Sequence, residues 1–221
     1  MISDQVEVRK MVLANPEGYI EFAGIYRIQG FIETMLHRVP DALCVNRIEY
    51  IVLNCKGRKV LHLGCRGESA NPSELHGEIL KVAEIVYGVD ILDLDCPNFF
   101  KMDLEKDDWV DVFKDKELDL IVASEIIEHL NNAGMFLEKV HQIGRPVIIT
   151  VPNAHCQTQY SMLRAGIEYD NRTHVAKYSY HTMKNLLERH DFSLDYFAWL
   201  NWPRPYYSSH LLFVAKPKGG K

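Results

Sequence analysis

The sequence predicts an α/β fold: a mostly parallel seven-stranded sheet with helices on both faces and an antiparallel edge strand. Three observations lead there. Short β-branched and aliphatic runs alternate with stretches of helical periodicity from residue 58 onward, the pattern of strands joined by crossover helices. Several runs end in a glycine or an acid, as strands do where a ligand lies beyond their carboxyl ends. The last two strand-like segments have no helical stretch between them, so they pair antiparallel.

KVLHL (59–63) is an apolar run that stops at Gly64 and forms a buried strand. Leu75, Ile79, Val82, Ala83 and Val86 recur at helical spacing and lead into VYGVD (86–90), the second strand. NFFKMD (98–103) is the third strand and LDLIVA (118–123) the fourth. Ala133, Phe136, Leu137, Val140 and Ile143 mark a helix that Asn132 opens and Gly144 closes. PVIITV (146–151) is the fifth strand, and Met183, Leu186, Leu187 and His190 form a further helical stripe. FSLDYFAWL (192–200) and HLLFVAK (210–216) complete the sheet across the loop WPRPYYSS. Residues 1–57, with the aromatic-rich stretch PEGYIEFAGIYRIQGFIETMLHR, form a helical N-terminal extension or cap, residues 58–216 the α/β domain, and residues 217–221 a flexible tail.

Composition narrows the function. The apolar share of 47% and charged share of 25% are those of a globular chain, and 221 residues suffice for one sizeable domain. A net charge of −5 without a long basic stripe argues against a polyanionic partner, so nucleic acid is disfavoured. No run is long enough to span a bilayer, and MISDQVEVRK lacks an apolar leader core, so no membrane insertion is expected. Cys44, Cys55, Cys65, Cys96 and Cys156 never form a CxxC pair, which suits free thiols in a reducing cytoplasm rather than a zinc ribbon.

The strand ends carry the chemistry. Gly64-Cys65 after the first strand lets a ligand approach bare backbone. Asp90 after the second offers a carboxylate to a ribose diol, and Asp103 after the third can accept from the amino group of an adenine. Ser124-Glu125 follow the fourth. A pyrophosphate needs several backbone N–H groups from a glycine-rich turn, whereas here Arg66 and Glu68 stand among the glycines. Such a turn suits an adenosine that carries a zwitterionic tail and no phosphate.

On these residues the chain resembles the class I S-adenosylmethionine-dependent methyltransferases over roughly residues 45–216, which implies a Rossmann-like sheet and S-adenosylmethionine as cofactor. LHLGCRG resembles the glycine motif, YGVDI the ribose-binding acid motif, KMDL the adenine-side acid, LDLIVASEIIEHL the fourth-strand motif and IITVPN the fifth-strand motif of one subset. The cofactor-binding residues so implied are Gly64, Cys65, Arg66, Asp90, Ile91, Asp103, Leu104, Ser124 and Glu125. Two positions depart from the pattern: His62 replaces the usual acid, and Arg66 stands at the second glycine. HVAKYSYHTMKNLLERHDF resembles a segment of members that modify cell-surface polysaccharides or small metabolites, so the resemblance implies a small-molecule or saccharide acceptor and leaves a homo-oligomer open.

Glu125, Glu128 and His129 (EIIEH) lie at i, i+3 and i+4, which on a helix gathers them on one face. His155, His174 and His181 fall later, over the same end of the sheet. Three readings follow. Glu125, Glu128, His129 and His174 hold a divalent cation that binds and acidifies a substrate hydroxyl pair, as similar ExxEH sequences do in small-RNA terminal 2′-O-methyltransferases. His129, with His174 second, acts as a metal-free general base. Or the cluster only orders its loop. Tyr160, Tyr169, Tyr178 and Tyr180 stand where an acceptor pocket would be walled. The rivals are a nucleotide-dependent oxidoreductase, disfavoured by the glycine spacing, a methyltransferase-like binding or assembly subunit, and an RNA 2′-O-methyltransferase.

Overall fold

The computed structural model describes residues 40, 42–67, 71–202 and 207–219. In chain order its elements are β1 (Cys44–Val45), α1 (Arg47–Cys55), β2 (Lys59–Leu63), α2 (Glu74–Val82), β3 (Ile85–Asp90), β4 (Phe99–Lys101), α3 (Trp109–Phe113), β5 (Leu120–Ser124), a 3-10 turn (Ile127–His129), α4 (Ala133–Ile143), β6 (Val147–Pro152), α5 (Gln157–Arg164), α6 (Tyr180–Arg189), β7 (Phe192–Leu200) and β8 (His210–Pro217). The strands form one sheet in the order β1-β7-β8-β6-β5-β2-β3-β4. Every pairing is parallel except those of β8, which runs antiparallel to both β6 and β7.

The sheet has eight strands where the sequence predicts seven. The additional one, β1, is two residues long and pairs Cys44 with Trp199 and Val45 with Leu200. Two residues carry no alternation, so only the partner strand defines them. The extension or cap expected over residues 1–57 lies outside the described residues as far as residue 39. Its described part supplies β1 and α1, and Pro40–Lys221 form one compact unit. Of the expected tail, Pro217 ends β8, and residues 220–221 lie outside the described residues.

Successive residues of a strand face opposite sides of a sheet, and here both sides are dry. Leu61, Leu63, Ile121, Ala123 and Ile149 pack on one face with Trp109 and Phe113 of α3, Phe136 and Leu137 of α4 and Met183 of α6. Val60, Leu120, Val122 and Ile148 pack on the other with Ile51 of α1 and Leu75 and Ile79 of α2. Each large side chain so buried contributes about 1.5–3 kcal/mol. Helix α4 has the ends its sequence predicts: the Asn132 side chain accepts from Met135 N–H, and Gly144 closes it at φ 72°.

The chain leaves β2 toward β3 and β4 and later returns to β5 on the other side of β2. The order therefore reverses between β2 and β5, the place where ligands gather at the carboxyl ends of the strands in sheets of this kind.

Candidate functional site

The first strand exit is built around Gly64. Its φ of 73° lies in the left-handed region, and a Cβ there would stand 3.0 Å from Ile126 Cδ1, so only glycine suits. Its N–H donates to Val89 O of the neighbouring strand at 2.8 Å. Cys65 is buried, and burial pushes its thiol up to about 12, which makes it a packing residue rather than a nucleophile. Arg66 N–H donates to Asp90 Oδ2 at 3.0 Å, and Leu92 N–H donates to Asp90 Oδ1 at 3.1 Å. Gly64, Arg66 and Asp90 thus meet at one end of the sheet. Arg66 Nε is buried without a hydrogen-bond partner among the described residues. Ile91 and Leu92, just beyond Asp90, leave an apolar surface exposed.

Asp103 is more occupied. Its Oδ1 accepts from Glu105 N–H and Lys106 N–H, and its Oδ2 pairs with Lys106 Nζ at 2.8 Å. The Lys106 contact, acting against burial, holds its carboxyl below the usual range. Leu104 is buried, and its carbonyl accepts from Trp109 Nε1 at 3.0 Å. His62, at the position of the usual acid, is buried with its Nδ1 3.0 Å from His76 Nδ1.

Ser124 and Glu125 leave β5 toward β6 and β8. Ser124 Oγ lies 2.8 Å from Thr150 Oγ1, and Thr150 Oγ1 donates to Glu125 Oε1 at 2.7 Å. His210 Nε2 lies 3.2 Å from Glu125 Oε2 and Arg47 Nη1 3.7 Å from Oε1. Burial opposes the Glu125 charge, but His210, Thr150 and Arg47 outweigh it and hold the carboxyl low.

The EIIEH segment is not an α-helix. Glu125 adopts the left-handed conformation at φ 56°, and only Ile127–His129 wind, as a 3-10 turn. The i, i+3, i+4 face therefore does not form: Ile127 takes the core and Glu125 points to Thr150 and His210. Glu128 and His129 instead meet His174, and one ligand atom from each of the three lies within 4.8 Å of the others. His174 Nε2 stands 4.0 Å from Glu128 Oε1, and the two imidazoles cross edge to face with centroids 4.6 Å apart.

Glu128 is 1% exposed, and neither of its carboxylate oxygens has a hydrogen-bond partner among the described residues. Burial, with the Glu125 charge adding to it, pushes its pKa up to about 8. His129 is held below its ordinary value by burial and by His174 beside it. A buried, unpaired carboxylate facing two imidazoles is a donor set that fits a divalent transition ion.

Sequence reasoning missed the residues that hold this set. Thr173 Oγ1 lies 2.9 Å from His129 Nδ1, and Asp170 Oδ1 lies 2.7 Å from His174 Nδ1. The Asp170–His174 spacing of four was the one signal available, and it needed the turn to give it meaning. Of the tyrosines, Tyr160 and Tyr169 remain exposed, while Tyr178 is buried and Tyr180 meets Phe197 edge to face and stacks on Phe213. Among the described residues no helix is long and apolar enough to cross a membrane.

Residues 35–196 match the family model described as a methyltransferase domain. No curated protein matches the chain. Among solved structures the chain is similar to the small RNA methyltransferase HEN1, at 17% identity and a TM-score of 0.59, covering 79% of this chain but 25% of that one. It is similar to the methyltransferase domain of bacterial CtHen1-C, at 22% identity and a TM-score of 0.55, covering 79% of this chain and 98% of that one. It is similar as well to a SAM-dependent methyltransferase from Archaeoglobus fulgidus, at 20% identity and a TM-score of 0.53, covering 77% and 91%. At these identities the likeness is one of fold.

Proposed function

This chain belongs to the methyltransferase-domain family, and from that premise we propose that it transfers a methyl group from S-adenosylmethionine to a hydroxyl oxygen of a small molecule or saccharide, using a divalent cation held by Glu128, His129 and His174. One observation carries the hydroxyl and the cation: three ligand atoms converge within 4.8 Å around a buried carboxylate that has no other partner.

Gly64, whose left-handed turn packs against Ile126, brings the strand exit beside the Asp90 carboxylate, which suits the ribose hydroxyls. The unpartnered Arg66 Nε suits the carboxylate of a methionine tail. S-adenosylmethionine supplies an activated methyl group whose sulfonium is already a good leaving group. The protein's task is then to align the acceptor oxygen with it, and such proximity is worth roughly 7–11 kcal/mol. A divalent cation supplies Lewis acidity that lowers the pKa of a hydroxyl. Where the cation is held, both imidazoles would be spent as its ligands and the proton that the hydroxyl loses would pass to bulk water; in its absence His129, with His174 second, would be the base, both being part-exposed.

A second reading takes the terminal ribose of an RNA as acceptor. Arg164, Tyr169 and Arg172 favour it, because all three are exposed on the segment that leads into His174 and suit phosphates and bases.

The test is methyl transfer from tritiated S-adenosylmethionine to a panel of diols, saccharides and RNA oligonucleotides ending in either a 3′-hydroxyl or a 3′-phosphate. Label in a saccharide or diol supports the first reading, and label confined to 3′-hydroxyl RNA supports the second. Activity that survives complete chelation removes the cation. If calorimetry detects no S-adenosylhomocysteine binding, the cofactor assignment is lost.

A further inference from the structure

Both imidazoles of the cluster are held from behind by one short turn between α5 and α6. In it, Thr173 N–H donates to Asn171 Oδ1 at 3.1 Å, and the Thr173 hydroxyl donates to the same oxygen at 2.9 Å. A hydroxyl has a single proton, so Thr173 Oγ1 has only lone pairs left to offer His129 Nδ1, 2.9 Å away. His129 must therefore carry its hydrogen on Nδ1 and its lone pair on Nε2.

Asp170 imposes the same state on His174. Its Oδ1 lies 2.7 Å from His174 Nδ1 and also accepts from Asn171 N–H at 2.9 Å. Its Oδ2 pairs with Lys177 Nζ at 3.1 Å. An ionised carboxylate only accepts, so the hydrogen again sits on Nδ1 and Nε2 is left to ligate. The exit of the turn is tied to the third member: Val175 N–H donates to Glu128 O at 2.9 Å and Ala176 N–H to the same oxygen at 3.3 Å.

We propose that this turn is a positioning device, in which Asp170 and Thr173 lock both histidines in the Nδ1–H tautomer so that the cation site is built before either substrate arrives. The inference rests on the cation assigned above and extends it to residues that touch neither the cation nor the methyl donor. Partners of this kind fix ring orientation and raise ligand basicity, and losing one costs about 10–100-fold in metal affinity.

The experiment titrates Mn²⁺ into the whole chain by calorimetry, with and without saturating S-adenosylhomocysteine, and titrates S-adenosylhomocysteine in parallel. Asp170→Ala and Thr173→Val are each expected to weaken Mn²⁺ by about 10–100-fold while leaving S-adenosylhomocysteine affinity unchanged. Thr173→Ser, which keeps the hydroxyl, is expected to bind Mn²⁺ as the wild type does. The wild-type Mn²⁺ affinity is expected to be the same with and without S-adenosylhomocysteine. Variants that bind both ligands normally overturn the positioning role and leave the proposed function standing. Variants that lose both ligands mark a merely structural turn and overturn it as well. Mn²⁺ that binds only after S-adenosylhomocysteine contradicts a preformed site. A wild type that binds S-adenosylhomocysteine but no Mn²⁺ removes the cation and this inference together.

Discussion

His62 and His76 meet Nδ1 to Nδ1 at 3.0 Å inside the protein, with Cys96 Sγ 3.6 Å from the far nitrogen of His76. Only one hydrogen fits between the two Nδ1 atoms, so one ring donates, the other accepts, and neither carries charge. Burial, with His76 adding to it, drives the His62 pKa well below its ordinary value, and burial takes His76 down to about 4. The sign follows from linkage. The unfolded chain takes up protons at these histidines once pH falls below about 6.5, while the folded one resists. The stability they contribute is complete above that pH and is lost as pH drops toward 4. Urea titrations are expected to show the midpoint falling between pH 7 and pH 4.5. In His76→Leu the protein is less stable at pH 7, but its slope against pH is shallower. An equal slope in both proteins would mean that acid acts elsewhere.

At the scale of the element, α4 has its start defined twice. Asn132 Oδ1 accepts from Met135 N–H at 3.0 Å, while Glu105 holds the Asn132 backbone N–H at 2.8 Å and the Asn131 amide at 3.0 Å. Removing the cap in Asn132→Ala is expected to cost about 1 kcal/mol, and Asn132→Ser to recover most of it, by chemical denaturation. The 3-10 turn just before it obeys a different demand. Glu125 leaves β5 in the left-handed conformation, Ile127 fills the core, and the acid-rich stretch becomes a sharp corner that divides its two glutamates between separate networks.

At the scale of the whole molecule, helices cover both faces of the sheet, and Gly64, Asp90 and the Glu128–His129–His174 cluster emerge at the carboxyl ends of its central strands. A ligand that binds only the folded chain stabilises it by mass action. S-adenosylhomocysteine at a hundredfold excess over its Kd is expected to add about 2.7 kcal/mol, which raises the Tm by about 5–10 °C for a chain of this size. NAD is expected to leave the Tm unchanged, because the turn at Gly64 carries Arg66 where a pyrophosphate needs bare backbone. A shift with NAD and none with S-adenosylhomocysteine would return the protein to the oxidoreductase class.

By itself the sequence determined what is encoded within a few residues of itself. The apolar runs at 59–63 and 118–123, the Asn132 and Gly144 ends of α4 and the glycine-then-acid strand exits are set by local sterics, periodicity and capping, and the structure carries them where they were expected. Tertiary structure alone decided what depends on partners distant in sequence. The strand β1 exists because Trp199 and Leu200 pair with it, and Glu125 leaves the cluster because Thr150 and His210 take its carboxylate. His174 joins Glu128 and His129 across forty-four intervening positions because one turn places Asp170 and Thr173 behind the rings. Hydrogen bonds and burial act through space, and a one-dimensional pattern names the residues able to make them without saying which will meet.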